Sequence, residues 1–315
     1  MLAAMAGSER QVPMSKVWLV SGSSRGLGLE IAKAALASGD RVVVTARNPA
    51  HLRPLVEKYG ERVRAVELDV TRPAHARAAV EDARVGFGRL DVVVNNAGYA
   101  NVNSIEDVAE DDFRAQVETN FFGVFNVTRA ALPVLRAQRS GHIIQISSIG
   151  GRGATQGIAA YQSAKWAVGG FSEVLAKEVG PLGIRVTVVE PGGMRTDWSG
   201  SSMRVDEIKP DYQATVGAFA AAMRGNPNAA QGDPAKVART IVALADEPNP
   251  PLRLLLGSDA VFMAEVVANA RAQEDAAWRE ISLSTDADGI PTFAETPVAQ
   301  YLMSQQPATT RPRAR

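Results

Sequence analysis

The sequence predicts an α/β protein built on a doubly wound parallel sheet of about seven strands. Short apolar runs without polar alternation take turns along the chain with segments of helical spacing. This order is typical of βαβ units, whose right-handed crossovers place helices on both faces of the sheet. Strands that are apolar throughout are expected in such a sheet, because both of its faces are covered.

The elements follow one another from residue 16 to residue 257. Strands are predicted, in chain order, at 16–22, 41–47, 63–70, 90–98, 141–148, 184–192 and 251–257. Helices are predicted between them at 27–39, 51–60, 73–88, 111–138, 161–179 and 233–246. Most of these segments end at glycine or at a polar turn, as strands and helices commonly do.

Boundaries are predicted from changes in composition. Residues 1–14 form a loose leader, and either Met1 or Met14 is the functional start. A single Rossmann-like domain then covers 15–281, with an insertion at 195–232 between a strand and a helix. From 282 to 315 the chain becomes polar and is predicted to be a disordered tail.

Composition excludes several classes of function. The 315 residues carry 34 basic and 34 acidic side chains and no cysteine. A net charge of zero predicts no nucleic-acid partner and no anionic membrane surface, and the absence of thiols excludes a disulfide framework and a zinc-thiolate site. No metal site is predicted. Without an apolar run of about 18 residues or a signal peptide, a cytoplasmic protein with a small-molecule substrate is expected.

The stretch "VSGSSRGLG" after the first strand fits two chemistries. As G-x-S-x-G it is the turn that presents a hydrolase's nucleophilic serine, but that fold requires a histidine late in the chain. The last of the three histidines is His142. The alternative is a glycine-rich turn that lets the backbone approach a dinucleotide pyrophosphate at a helix N-terminus. This interpretation is favoured, with Ser23 and Ser24 lining the phosphate site.

Two arginines favour NADP over NAD. At the end of the second strand, where a carboxylate would bind a free ribose 2′-hydroxyl, the chain has Ala46 followed by Arg47. Arg25, inside the glycine turn, can approach a 2′-phosphate from the other side. NADPH is therefore the predicted cofactor, and two solvated surface arginines with NAD are the alternative.

Six short motifs in order resemble those of the short-chain dehydrogenase/reductase family. They are "SGSSRGLG", "NNAG" at 95–98, "N" at 120, "ISS" at 146–148, "YQSAK" at 161–165 and "PGGMRT" at 191–196. The resemblance covers about residues 15–260, and Ser21 stands where the family commonly has threonine. It implies catalytic roles for Asn120, Ser148, Tyr161 and Lys165. It implies cofactor contacts from Gly22, Ser24, Arg25, Gly26, Leu27, Gly28, Arg47, Asp69, Val70, Asn96, Ala97, Gly98, Tyr161, Lys165, Pro191, Gly192, Met194 and Thr196.

The chemistry implied is hydride transfer between a carbonyl and an alcohol. Tyr161 and Lys165 share one helix face at a spacing of i and i+4. The lysine ammonium, with the positive nicotinamide, is expected to lower the pKa of Tyr161 so that the phenol acts as general acid or base. Ser148 would orient the substrate oxygen. By resemblance, Asn120 would hold a helix kink and a water that connects Lys165 to solvent.

The insertion at 195–232 is predicted to cover the substrate. It carries large apolar side chains, which suit an apolar ketone or alcohol of steroid, retinoid or polyketide type unless they only fasten the insertion. These residues are Trp198, Met203, Tyr212, Phe219 and Met223. The helix after residue 257 has three open roles: it caps the pocket, forms a homodimer contact or blocks a tetramer. The rival function is a dinucleotide-sensing scaffold without catalysis.

Overall fold

A computed structural model describes residues 15–196, 203–225 and 230–304. The chain forms two compact units, Met1–Glu265 and Val266–Arg315. The side chains of 224 and 225 are outside the description. Trp198, from the insertion at 195–232 that is predicted to cover the substrate (the lid), is also outside it. Within the part that is described, no helix combines the length and apolar composition needed to cross a bilayer.

The first unit contains a seven-stranded parallel sheet, which confirms the predicted fold class. The strands of the chain are β1 Val17–Val20, β2 Arg41–Ala46, β3 Val63–Glu67, β4 Val92–Asn95, β5 Ala100–Val102, β6 Gly141–Ile146, β7 Ile184–Pro191, β8 Met203–Val205 and β9 Arg253–Leu256. The large sheet has the order β3-β2-β1-β4-β6-β7-β9, and β5 pairs with β8 in a separate parallel ribbon. Strand order reverses direction at β1 and β4, which is where open α/β sheets bind ligands.

Helices cover both faces of the large sheet. They are α1 Gly26–Ala37, α2 Arg53–Tyr59, α3 Pro73–Phe87, α5 Gly123–Gln138, α6 Ala159–Val179 and α8 Pro234–Leu244. The described residues also form α4 Glu110–Val117, α7 Ala218–Gly225 and α9 Ser258–Ala277. Alternate residues of β1 enter different cores: Trp18 and Val20 pack in the cluster that contains α1 and α8, whereas Val17 and Leu19 pack in the one that contains α3 and α5. This alternation is the period of two that a strand buried on both faces requires.

Three local features differ from the sequence expectations. The predicted helix at 111–138 is α4 and α5 joined by a π-helical turn, Glu118–Phe122. The three-residue strands β5 and β8 are additional, because a strand this short is defined by its partner rather than by its own composition. The insertion at 195–232 therefore contains a strand, β8, and the helix α7.

The described part of the second unit contains the end of α9 and two further helices, α10 Arg279–Leu283 and α11 Pro297–Ser304. Helix α11 lies inside the segment that was expected to be a disordered tail. Its start is specified locally, because Pro297 occupies the first turn and Thr296 Oγ1 accepts a hydrogen bond from Ala299 N at 3.2 Å. The average polarity of 282–315 conceals this helix-start signal.

Candidate active site

A cavity of about 800 Å³ opens at the carboxyl ends of the parallel strands. Most of the residues predicted from the motifs line it. These are Gly22, Ser24, Arg25, Gly26, Leu27, Arg47, Asp69, Val70, Asn96, Ala97, Gly98, Ser148, Tyr161, Lys165, Pro191, Gly192, Met194 and Thr196. Segments that are far apart in sequence meet here because parallel strands all end at one edge of the sheet.

Gly28 and Asn120 were expected in the site but lie behind the cavity wall. A Cβ at Gly28 would be 2.4 Å from both Asn96 Nδ2 and Gly22 O, so this glycine allows α1 to pack against the turn after β1. The Asn96 amide in turn donates to Ser21 O and Gly22 O at 3.0 and 3.2 Å. Gly28 and Asn96 therefore set the shape of the glycine turn from behind.

Ser23 has a different role from the one expected. Its side chain is buried, and its Oγ donates to Val20 O at 2.6 Å and accepts from Thr45 N at 3.2 Å. Ser23 therefore ties the end of β1 to β2, whereas Ser24 lines the cavity. A hydroxyl with both partners inside the protein is not available to a phosphate.

Tyr161, Lys165 and Ser148 converge in one part of the cavity. Helix α6 places Tyr161 and Lys165 one turn apart, with Lys165 Nζ 5.5 Å from the centroid of the Tyr161 ring. Lys165 Nζ also donates to Ile146 O, at the end of β6, at 2.8 Å. Ser148 follows that strand, and its hydroxyl hydrogen-bonds Tyr161. The three predicted side chains are thus adjacent in the fold.

Burial dominates the proton affinities of this cluster. It raises the pKa of Tyr161 to about 12, while the hydrogen bond from Ser148 acts in the opposite direction. Burial also lowers the pKa of Lys165 to about 8, because the protein interior disfavours the ammonium. The net shift of the Tyr161 pKa is therefore upward, and the phenol is protonated at neutral pH. The lowering expected from Lys165 together with a positive nicotinamide stays a prediction.

Asn120 lies in the π-helical turn between α4 and α5. Its Nδ2 donates to Gln116 O and Tyr99 O, each at 2.8 Å, and its Oδ1 accepts from Tyr99 N at 3.2 Å. The side chain therefore bonds a carbonyl in its own helix and also fixes the chain after β4. The π turn is the structural counterpart of the kink implied by the resemblance, and such turns are frequent at functional sites.

The cavity has the features that a nicotinamide dinucleotide requires. The glycine turn brings bare backbone to one wall, and the N-terminus of α1 points its free N–H groups there. Asp69 follows β3, two strands away from β1 along the same edge of the sheet. Its Oδ1 accepts from Thr71 N and Thr71 Oγ1 at 3.0 and 2.7 Å. The cavity wall at Gly192 has no room for a side chain, since a Cβ there would be 2.1 Å from the Asp259 carboxylate.

Known proteins match this chain over most of its length. The family model described as short chain dehydrogenase matches residues 16–206. Oxidoreductase BOA17 of Botryotinia fuckeliana (strain B05.10) is 54% identical over 273 residues, which are 86% of this chain and 100% of that protein. The chain belongs to the short-chain dehydrogenase/reductase family.

Solved structures of the family share the fold. A short-chain dehydrogenase from Streptomyces avermitilis has a TM-score of 0.82 and 40% identity, covering 87% of this chain and 99% of that one. Two further neighbours are an alcohol dehydrogenase from Thermococcus sibiricus, complexed with 5-hydroxy-NADP, and a 3-ketoacyl-(acyl-carrier-protein) reductase from Brucella melitensis, complexed with NADH. The Thermococcus enzyme has a TM-score of 0.63 and 25% identity, and the match covers 77% of this chain and 96% of that one. The Brucella enzyme has a TM-score of 0.65 and 26% identity, and the match covers 76% of this chain and 96% of that one. Family membership makes this chain an NAD(P)-dependent oxidoreductase, and both cofactors occur on the fold.

The lid of this short-chain dehydrogenase/reductase contributes fewer residues to the cavity than its composition suggests. Phe219 and Met223 line the cavity. Tyr212 instead donates its hydroxyl to Glu106 Oε2 at 2.7 Å, and Met203 packs against a small core that includes Tyr161. Some large side chains of the lid thus line the cavity and others attach the lid to the rest of the domain, which are the two alternatives that its sequence left open.

Sequence reasoning missed several wall residues of the dehydrogenase cavity. Gln162, next to Tyr161, lines the cavity and accepts from Thr155 N at 2.8 Å through its Oε1. Met263, on α9, also lines the cavity; capping the pocket was one of the three roles left open for this helix, but no residue of it was named. The "YQSAK" motif could have drawn attention to Gln162, whereas nothing local in sequence marks Met263.

Proposed function

We propose that this chain is an NADP-dependent oxidoreductase that interconverts an apolar ketone and its alcohol, with Tyr161 as general acid and base. The observation that supports it best is the buried Tyr161 hydroxyl, bonded to Ser148 and close to Lys165, on the wall of a cavity that also contains the glycine turn. A bound nicotinamide dinucleotide supplies or accepts the hydride. The protein side chains then have to transfer one proton and to orient the substrate oxygen.

The protonated state of Tyr161 suits the reduction of a carbonyl. Because burial raises its pKa, the phenol holds its proton at neutral pH and can donate it to the carbonyl oxygen. Ser148 Oγ accepts from Gly150 N at 3.0 Å and directs its own hydrogen toward the same region. With substrate bound, the single Ser148 hydroxyl hydrogen would turn from Tyr161 to the substrate oxygen and stabilise the charge that develops there. In the reverse direction, the nearby Lys165 ammonium favours the phenolate.

The preference for NADP is proposed from Arg25 and Arg47. Both line the cavity and are exposed to solvent, and the neutral Ala46, which precedes Arg47 in the chain, lines it as well. Two guanidinium groups at this place suit a 2′-phosphate, whereas a carboxylate would suit a free 2′-hydroxyl. Steady-state rates with NADPH and NADH test the preference. We expect the double substitution Ala46→Asp and Arg47→Ala to shift it toward NADH; equal kcat/KM for both cofactors in the wild type would contradict the argument.

An apolar substrate is proposed from large apolar side chains on the cavity wall. Phe219, Met223 and Met263 line the cavity, and thioether and aromatic side chains fit apolar ligands of irregular shape. Absorbance of NADPH with a panel of aliphatic, steroid and aryl ketones will identify the class. A panel of carboxylate-bearing ketones serves as the comparison, and we expect slower turnover for these.

The role of Tyr161 is tested by Tyr161→Phe, which removes only the hydroxyl. Loss of a general acid is expected to lower kcat by roughly 10²–10⁴-fold. Tyr212→Phe is the matched control, because its hydroxyl bonds Glu106 outside the cavity. Unchanged turnover in Tyr161→Phe would refute the mechanism. NADPH binding without turnover of any ketone would instead support the dinucleotide-sensing scaffold.

A further inference from the structure

We infer that Glu190 and Arg152 are positioning residues that hold the Ser148 turn against the active site. This inference rests on the proposed function for its catalytic consequence. Glu190 is the penultimate residue of β7, directly before the cavity residue Pro191, and its side chain is fully buried. A buried carboxylate is costly unless it is paired and hydrogen-bonded. The fold therefore has to provide cations for it at this point.

Two arginines from distant segments meet this carboxylate. Arg152 Nε and Nη2 lie 2.7 and 2.6 Å from Glu190 Oε2, and Arg253 Nη1 lies 2.5 Å from Oε1. Arg253 also donates to Glu173 Oε1 on α6 at 2.8 Å. The four side chains sum to zero charge and join the loop after β6, strands β7 and β9, and the helix that carries Tyr161.

The Arg152 arm of this network ends in the turn that orients Ser148. The turn begins with Gly151 N donating to Ser148 O at 2.9 Å, and Arg152 N donates to Ile149 O at 2.9 Å. Inside the turn, Gly150 N donates to Ser148 Oγ at 3.0 Å. The Ser148 hydroxyl, which bonds Tyr161, is therefore held by the Gly150 amide. The turn that contains this amide is in turn anchored to Glu190 by the Arg152 side chain.

Close packing makes this turn sensitive to its anchor. A Cβ at Gly151 would be 2.8 Å from Ser147 Oγ and 3.0 Å from Lys165 O, so the turn lies directly on the backbone of α6. Residues at 150 and 153–155 then line the cavity. Loss of the Arg152–Glu190 contact would let the turn move away from α6, which changes the distance from Ser148 Oγ to Tyr161. The Arg253–Glu173 contact joins β9 to α6 and is linked to Arg152 through Glu190.

Three substitutions separate positioning from general stability. Arg152→Met removes the arm that holds the turn, and Glu190→Gln keeps the shape of the acceptor but removes its charge. Glu173→Gln is the matched control, because it makes the same change of charge in the same network on a side chain that is 49% exposed and bonds Arg253 instead of Arg152. Arg152→Lys keeps the charge but loses the planar fork, so partial recovery is expected.

The measurements are kcat and KM with NADPH and a ketone, and hydrogen exchange of the amides in 147–156. We expect Arg152→Met and Glu190→Gln to lower kcat by about 10- to 100-fold with little change in the KM for NADPH, as small displacements of a catalytic group do. The Gly150 and Gly151 amides should exchange faster in both variants. The pH at which alcohol oxidation accelerates should rise, since Ser148 normally lowers the pKa of Tyr161.

The inference is overturned if Glu173→Gln matches Arg152→Met in kcat and exchange, or if Arg152→Met matches the wild type in both. Should Glu190→Gln fail to fold, Arg152→Met decides, because that side chain is 32% exposed. If the wild type turns over no ketone, the proposed function fails. The exchange rates of the turn then decide the positioning role by themselves.

Discussion

His142 is fully buried on β6, and we predict that it makes the stability of the fold depend on pH. The Thr187 hydroxyl donates to Pro251 O at 2.9 Å, so His142 Nε2, 2.9 Å from Thr187 Oγ1, has to be the donor in that pair. The neutral ring is therefore the Nε2–H tautomer, and Nδ1 has no hydrogen-bond partner among the described residues. Burial, assisted by the Arg185 charge, lowers the pKa of His142 to about 3.

The sign and size of the effect follow from proton linkage. In the unfolded chain, histidine has a pKa of about 6.5, so below that pH the unfolded state binds a proton that the folded state does not. The free energy of unfolding therefore falls as the pH falls from 6.5 toward 3, by about 1.4 kcal/mol per pH unit. Between pH 7 and pH 5 the loss is about 2 kcal/mol, a large part of a typical total of about 5–15 kcal/mol.

Urea unfolding at pH 7 and pH 5 measures this loss. His142→Gln keeps a donor for Thr187 but cannot titrate, so the pH-dependent loss should be about 2 kcal/mol smaller than in the wild type. His51→Gln is the matched control, because this side chain is exposed and folding removes little water from it. If His142→Gln loses as much stability between the two pH values as the wild type does, the reasoning is wrong.

Three further outcomes are expected. Gly28→Ala should weaken NADPH binding at least about 10-fold, because the added Cβ forces Asn96 and the glycine turn apart; fluorescence titration measures the binding. Gly170→Ala is the control and should bind NADPH normally, because its Cβ would meet nothing within 4 Å. Phe219→Ala should raise the KM for a large apolar ketone at least about 10-fold and leave acetone unaffected, so equal changes for both would argue against a substrate contact. Ile241→Ala empties a fully buried position between α8 and the sheet and should cost about 2–5 kcal/mol in urea unfolding; a cost below that range would mean that the core closes around the smaller side chain.

The large elements were predictable because their signals are local. Each strand of the large sheet is a short apolar run that ends at a turn, and burial on both faces is what such a run requires. Strands β5 and β8 carry no such signal, because three residues become a strand only when a partner about 100 residues away supplies the hydrogen bonds. The π turn around Asn120 was likewise hidden inside a continuous helical pattern.

The candidate site was predictable to the extent that it consists of motifs. Tyr161 and Lys165 are four residues apart, so their common face follows from helix geometry alone. The partners of Glu190 were not predictable in this way, since Arg152 and Arg253 are 38 and 63 residues from it in the chain. Their meeting depends on which strands are neighbours in the sheet.

The sequence by itself determined the fold class and the family and gave the candidate site residues, because alternating apolar runs and short motifs act through neighbours in the chain. Only the tertiary structure decided which of those residues reach the cavity and which support it. Gly28 and Ser23 belong to the glycine motif yet are turned toward the protein, because close packing and buried hydrogen bonds use them there. It also decided the proton affinity of Tyr161, since burial is a property of everything packed around a side chain and not of its own motif.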